Sequence, residues 1–137
     1  MAIQFRVDTR NAMLDAIEVE AGASCCLEIR TGAAPANCGL ASTGTILVTI
    51  DLPADWMAAA AAGAKAKSGA WQDASADATG TAAHFRIYDS QAVKDETTCF
   101  MQGTVDQGAG DLSLDDKTIV ETQLVTITGF TITAGND

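Results

Sequence analysis

The sequence predicts a mainly β fold, an antiparallel β-sandwich or small barrel with one or two short helices. Three observations carry that expectation. Short segments alternate apolar and polar residues with the period of two that a half-buried strand requires. Clusters of Gly, Asn, Asp, Ser and Thr interrupt them at short intervals. No regular helical spacer separates successive strand-like segments, as an α/β fold would demand. The 137 residues are read as one domain, 1–137, with room for one sizeable core. Hydrophobic residues make up 47% and aromatic ones 5%, which excludes a disordered chain and points to a core built chiefly from Ile, Val and Leu.

Taken in order, Ile3, Phe5 and Val7 alternate with Gln4, Arg6 and Asp8 and read as a strand. A helix follows, capped by Thr9 or Asn11, with Met13, Leu14 and Ile17 on one stripe, Asp15 and Glu18 toward water, and Gly22 as its stop. Alternation resumes at Cys25, Leu27 and Ile29, which predicts that Cys25 points inward and Cys26, Glu28 and Arg30 point outward. Residues 31–37 have loop composition, and 45–52 form the clearest strand, with Ile46, Val48, Ile50 and Leu52 on one face.

Pro53 can open a short helix carrying Trp56 and Met57, and the alanines after it favour helix by propensity. A strand is expected around 66–71, then a long exposed loop over 72–80 of the kind that carries binding contacts. Residues 84–88 read as a strand with Phe85 and Ile87 inward, and 90–96 as a polar turn. Residues 98–105 place Cys99, Met101 and Val105 on one side. A turn at 108–111 leads to a short strand edge with Leu112 and Leu114, and 123–133 form a long strand bent or bulged at Gly129.

The formal net charge of −10 argues against direct nucleic-acid binding and against an anionic membrane surface, both of which need clustered Lys and Arg. It suits a solvated outer face or docking onto a basic protein surface. The start lacks a basic and then apolar leader pattern, and no stretch approaches the ~18 apolar residues of a membrane span.

Chemistry-bearing motifs are sparse. His84, the one histidine, alternates with core residues, and no G-x-S-x-G elbow or phosphate loop accompanies it. The predicted reading is therefore no enzyme, no cofactor and no metal. Asp106, Asp111, Asp115 and Asp116 cluster without calcium-loop spacing and read as a solvated turn. Cys25, Cys26, Cys38 and Cys99 are candidates for disulfides, either within the chain among Cys25, Cys38 and Cys99 or between subunits through Cys26 or Cys38. Buried, they act instead as small apolar residues. Trp56 and Trp71 are core residues or, if exposed, interface anchors.

Several segments carry a resemblance. They are Ile29-Arg30-Thr31-Gly32-Ala33-Ala34-Pro35-Ala36-Asn37-Cys38, Leu52-Pro53-Ala54-Asp55-Trp56-Met57-Ala58-Ala59, Trp71-Gln72-Asp73 on to His84-Phe85-Arg86-Ile87-Tyr88-Asp89, and Gln123-Leu124-Val125-Thr126-Ile127-Thr128-Gly129-Phe130-Thr131-Ile132-Thr133. Together they resemble a family of small proteins encoded by tailed bacteriophages and prophages. The resemblance implies a virion structural protein assembled in the bacterial cytoplasm. Its implied role is capsid decoration, with the major capsid protein and copies of itself as partners. A collar, neck or tail component is the alternative, as is a receptor- or glycan-binding module on the tail with Trp71 as its contact.

Overall fold

In the computed structural model, which describes residues 3–135, strand accounts for 37% of residues and helix for 11%, so the chain is mainly β. The elements are the helix α1 (Val7–Ala21) and the strands β1 (Cys26–Arg30), β2 (Ile46–Asp51), β3 (Ala64–Ala66), β4 (Gln72–Asp73), β5 (Gly80–Thr81), β6 (His84–Tyr88), β7 (Cys99–Gln107), β8 (Leu112–Leu114), β9 (Thr118–Ile119) and β10 (Val125–Thr133). One curled, half-barrel sheet runs β2-β1-β6-β7-β8-β10-β3, with β4 also on β10, and β5 and β9 form a separate ribbon. The β1, β2, β6 and β10 segments are those whose alternation marks them in the sequence. The ladder between β10 and β8 shifts register between Ile127 and Gly129, where a bend is expected.

β7 and β8 are paired in parallel although only residues 108–111 separate them. Parallel neighbours ordinarily need a crossover of about a dozen residues. Here the chain doubles back through two glycines, Gly108 and Gly110, and Asp111 locks the reversal by accepting the Thr104 backbone N–H (2.8 Å) and hydroxyl (2.9 Å). β8 is consequently an interior strand with Leu112 and Leu114 buried, and not the edge its length suggests.

Leu27, Ile29, Val48, Ile50, Ile87, Leu112, Val125 and Ile127 supply the aliphatic core. Through it runs a chain of five rings, Phe100, Trp56, Trp71, Phe130 and Phe85, with successive centroids 6.0, 6.1, 5.4 and 5.7 Å apart. Five of the seven aromatic residues are thus gathered in one place.

Other expectations are corrected. Residues 3–6 lie in no strand, and Val7 opens the helix with Arg6 as its cap residue. Three alternating positions are too short a signal to outweigh the helix that follows. Asn11 does not cap α1, and Asp15 and Glu18 do not simply face water; all three serve a neighbouring segment. The alanines after Trp56 form no helix. Residues 57–67 are instead a hairpin bridged at Met57–Lys67 and Ala61–Ala64, turning at Ala62 (φ 52°) and Gly63 (φ 76°). The positive φ at Gly63 is the reason glycine stands there; a Cβ would in addition push the Arg10 guanidinium aside.

The hairpin's outer backbone is covered by α1. Asn11 Oδ1 accepts from Gly63 N–H, Asp15 Oδ1 from Ala60 N–H, and Glu18 Oε1 from Met57 N–H, at 2.9, 2.9 and 3.3 Å. Positions i, i+4 and i+7 of one helix face thereby satisfy donors that an uncovered edge would present to other chains. Residues 72–80 are not a free loop, since Ala76 N–H and Asp77 N–H donate to the Gln123 and Leu47 carbonyls (2.9 and 2.8 Å).

Candidate functional site

The most highly charged part of the interior lies on the face of β1, β6 and β7 turned away from the ring chain. Cys26 stands opposite Tyr88, Glu28 opposite Arg86, and Arg30 opposite His84. The strand period places them there because Leu27, Ile29, Phe85 and Ile87 take the core side. Such a face is commonly solvated. In this protein Cys26, Glu28, His84, Arg86 and Tyr88 are all buried, which corrects the outward assignment of Cys26 and Glu28.

The cover is the segment 31–45. Its backbone carbonyls meet the donors beneath. Gly32 O receives His84 Nδ1–H (2.7 Å), Pro35 O receives Gln102 Nε2–H (2.6 Å), and Asn37 O receives Arg86 Nη2–H (3.1 Å). The side chains below form a directed series. Arg86 Nη1 donates to Ser42 Oγ (3.1 Å), Ser42 then donates to the Tyr88 oxygen (2.9 Å), and Tyr88 donates to Glu28 Oε2 (3.2 Å). Arg30 closes on the same oxygen with an ion pair of 2.8 Å. Each bond in such a series polarises the next, so a fully satisfied network fixes one arrangement. Burial, with a contribution from the Glu28 charge, raises the Tyr88 phenol above its ordinary value, which keeps it a donor.

His84 is held neutral. Burial lowers its pKa, the Gly32 bond opposes this, and the Arg30 and Arg86 cations add to the lowering. Its Nδ1–H faces a carbonyl, so Nε2 carries the lone pair, and that atom is buried without a hydrogen-bond partner. Through its bond to Gly32 the ring props the covering segment. Because the folded pKa lies below the ordinary 6.5, the unfolded chain takes up the proton first as pH falls. The stability this group contributes is present above about pH 6.5 and is lost as pH falls through the folded pKa. Thermal unfolding followed between about pH 8 and 5.5 should show a falling midpoint that is flattened in His84→Asn.

The four thiols are free. Burial foremost pushes Cys25 up to about 11, and Cys26 and Cys99 up to about 12. Cys25 donates toward the Ala21 and Gly22 carbonyls that end α1, while Cys99 donates to the Met101 carbonyl (3.7 Å) and lies beside Cys38 of the covering segment. Cys99 therefore does not share a side with Met101; the β7 ladder shifts register against Ile87 and Tyr88, and Phe100 turns to Trp56 instead. Of the candidate disulfide residues the structure brings together Cys38 and Cys99 alone, and buried Cys26 is not placed to reach another subunit. A thiol reagent applied to the native protein should label Cys38 first and leave Cys25 and Cys26 unlabelled until denaturant is added, as mass spectrometry of the peptides would show.

Trp56 and Trp71 are both 0% exposed. Their indole N–H groups donate to Gly22 O (3.3 Å) and Ser68 O (3.1 Å), so neither is a surface anchor. The acidic turn is solvated as expected, with Asp106 paired to Lys117 at 3.0 Å. Among the described residues no group of three or more His, Cys, Asp or Glu is placed to hold a metal ion, and no helix is long and apolar enough to cross a membrane.

A second charged centre escapes sequence reasoning. Lys65, from β3, is buried with its ammonium on Asp15 Oδ1 (2.8 Å), Glu18 Oε2 (2.9 Å) and the Ala58 carbonyl (2.8 Å). Three acceptors match its three N–H bonds. Burial pulls its pKa down, but the bonds to Asp15 and Glu18 outweigh that and hold it above the ordinary value. Beside it lies an open groove of about 530 Å³ bordered by Val19, Ala54 and Asp55.

Compared with models of known families, with characterised proteins and with solved structures, the chain matches none.

Proposed function

We propose that the chain is a structural protein of a tailed-phage virion and decorates the head by binding the outside of the major capsid subunits. The observation that supports this most is the placement of charge. Of the eight basic side chains, Arg30, Lys65 and Arg86 are turned inward and spent on internal carboxylates and carbonyls. What remains outside is predominantly acidic, and the interior network is used to hold a cover in place. A rigid acidic β domain of this kind suits a basic, repeated protein surface, where many weak copies act together. The tail-adhesion alternative depended on an exposed Trp71, which is buried.

Cryo-electron microscopy of intact particles tests the reading. Density for this chain repeated over the head lattice is the expected result. Density at the collar, neck or tail would replace decoration with a connector role, and absence from particles would overturn the structural reading.

A further inference from the structure

Met13, Ala16 and Ile17 of α1 and Phe100 and Met101 of β7 enclose an open groove of about 490 Å³, with Glu20 at its rim. This is the volume range of pockets that bury small ligands, ~300–1,000 Å³. Its walls are apolar, and its two methionines are unbranched and adaptable.

The same chain carries a segment of matching chemistry. Residues 3–6 run into α1 outside any strand, with Arg6 extended (φ −63°, ψ 157°). Ile3 is 81% exposed and Phe5 44%. The alternation that reads as a strand is present, with the segment outside the strands of the described residues. Ile3-Gln4-Phe5-Arg6 also holds one basic residue and no acidic one, in a chain of net charge −10. Among the described residues Arg6 pairs with Asp8, at 2.7 Å with both side chains largely exposed, a pairing that water weakens and a second carboxylate can replace.

We propose that this N-terminal arm of one copy lies in the α1–β7 groove of a second copy. Four extended residues span about 13 Å, against about 10 Å of helix from Met13 to Glu20. Ile3 and Phe5 enter the groove from one face of the arm, and Arg6 comes near Glu20. Arm and groove are different surfaces, so the contact is head to tail and can be passed from copy to copy. It is small for a lone protein interface and gains strength in a repeated array. It does not depend on the virion reading.

Sedimentation velocity of the full chain up to about 1 mM tests it. Concentration-dependent association is expected. Ile3→Asp and Met13→Glu, both at exposed positions, should each give folded monomers, with circular dichroism as the check on folding. Mixed one to one, they should form a dimer and nothing larger, because the first retains a groove and the second an arm. A wild-type chain that stays monomeric throughout would overturn the proposal, as would association untouched by either substitution. Failure of the mixture to dimerise would do the same, and would assign the groove to the chain's own arm or to another protein.

Discussion

Replacing Glu28 with alanine is expected to destabilise the protein by about 3–5 kcal/mol, the usual cost of stranding a buried charge. Glu28 is the carboxylate on which the Arg30 ion pair and the Tyr88 hydrogen bond converge. Without it Arg30 and Arg86 remain under the 31–45 cover with no anion between them, and the Tyr88 hydroxyl loses its acceptor. Glu28→Gln keeps an acceptor oxygen and should lie between wild type and alanine. Denaturant unfolding measures the loss. Hydrogen exchange adds a local readout, because the amides of residues 31–45 should exchange faster in both variants, and the β10 amides much less so. A cost below about 1 kcal/mol would mean that the cover is held by something other than this charge.

Trp71→Ala is the second large effect, also about 3–5 kcal/mol. The Trp71 ring sits between Trp56 and Phe130, with centroids 6.1 and 5.4 Å away, so its removal opens a cavity in the middle of the ring chain. It also leaves the Ser68 carbonyl without its indole donor. Trp71→Phe restores part of the volume and should cost less. Thermal or urea unfolding decides the matter: an exposed binding residue would shift stability by no more than about 0.5 kcal/mol. Any loss of binding in Trp71→Ala would have to be read against its loss of folding.

These two residues also show where the sequence was readable. Alternation in 84–88 and 123–133, and the interruption at Gly129, correspond to real strands and a real shift in register. Gly22 ends α1 as its type suggests. Burial of Glu28, Arg86 and Cys26 was not legible, because period two reports which face a side chain takes and not what covers that face. The cover comes from a loop whose contacts, such as Arg86 to Asn37, span 49 positions of sequence. Alanine propensity failed at 58–62 for a similar reason. Gly63 turns the chain, and acceptors from α1 take its free N–H groups, so long-range bonding overrides a weak local preference. Lys65 gave no signal at all: nothing in the sequence around it announces that Asp15 and Glu18 lie within reach.

The alignment of Asn11, Asp15 and Glu18 along the hairpin has a consequence for how this protein fails. α1 is a removable sheath on the sheet's most vulnerable margin, and two of its three fastenings are carboxylates that must be ionised to hold well. The Lys65 and Ala60 bonds keep Asp15 charged below the ordinary carboxylate range, so the sheath outlasts mild acid and then loosens. The repulsion supplied by excess negative charge is lost first, near the pI of about 4.2, while Asp15 is still ionised. The sheath therefore still covers the strand edge at the pH where neighbouring molecules cease to repel one another, and it guards the sheet against edge-to-edge pairing when that protection is needed most.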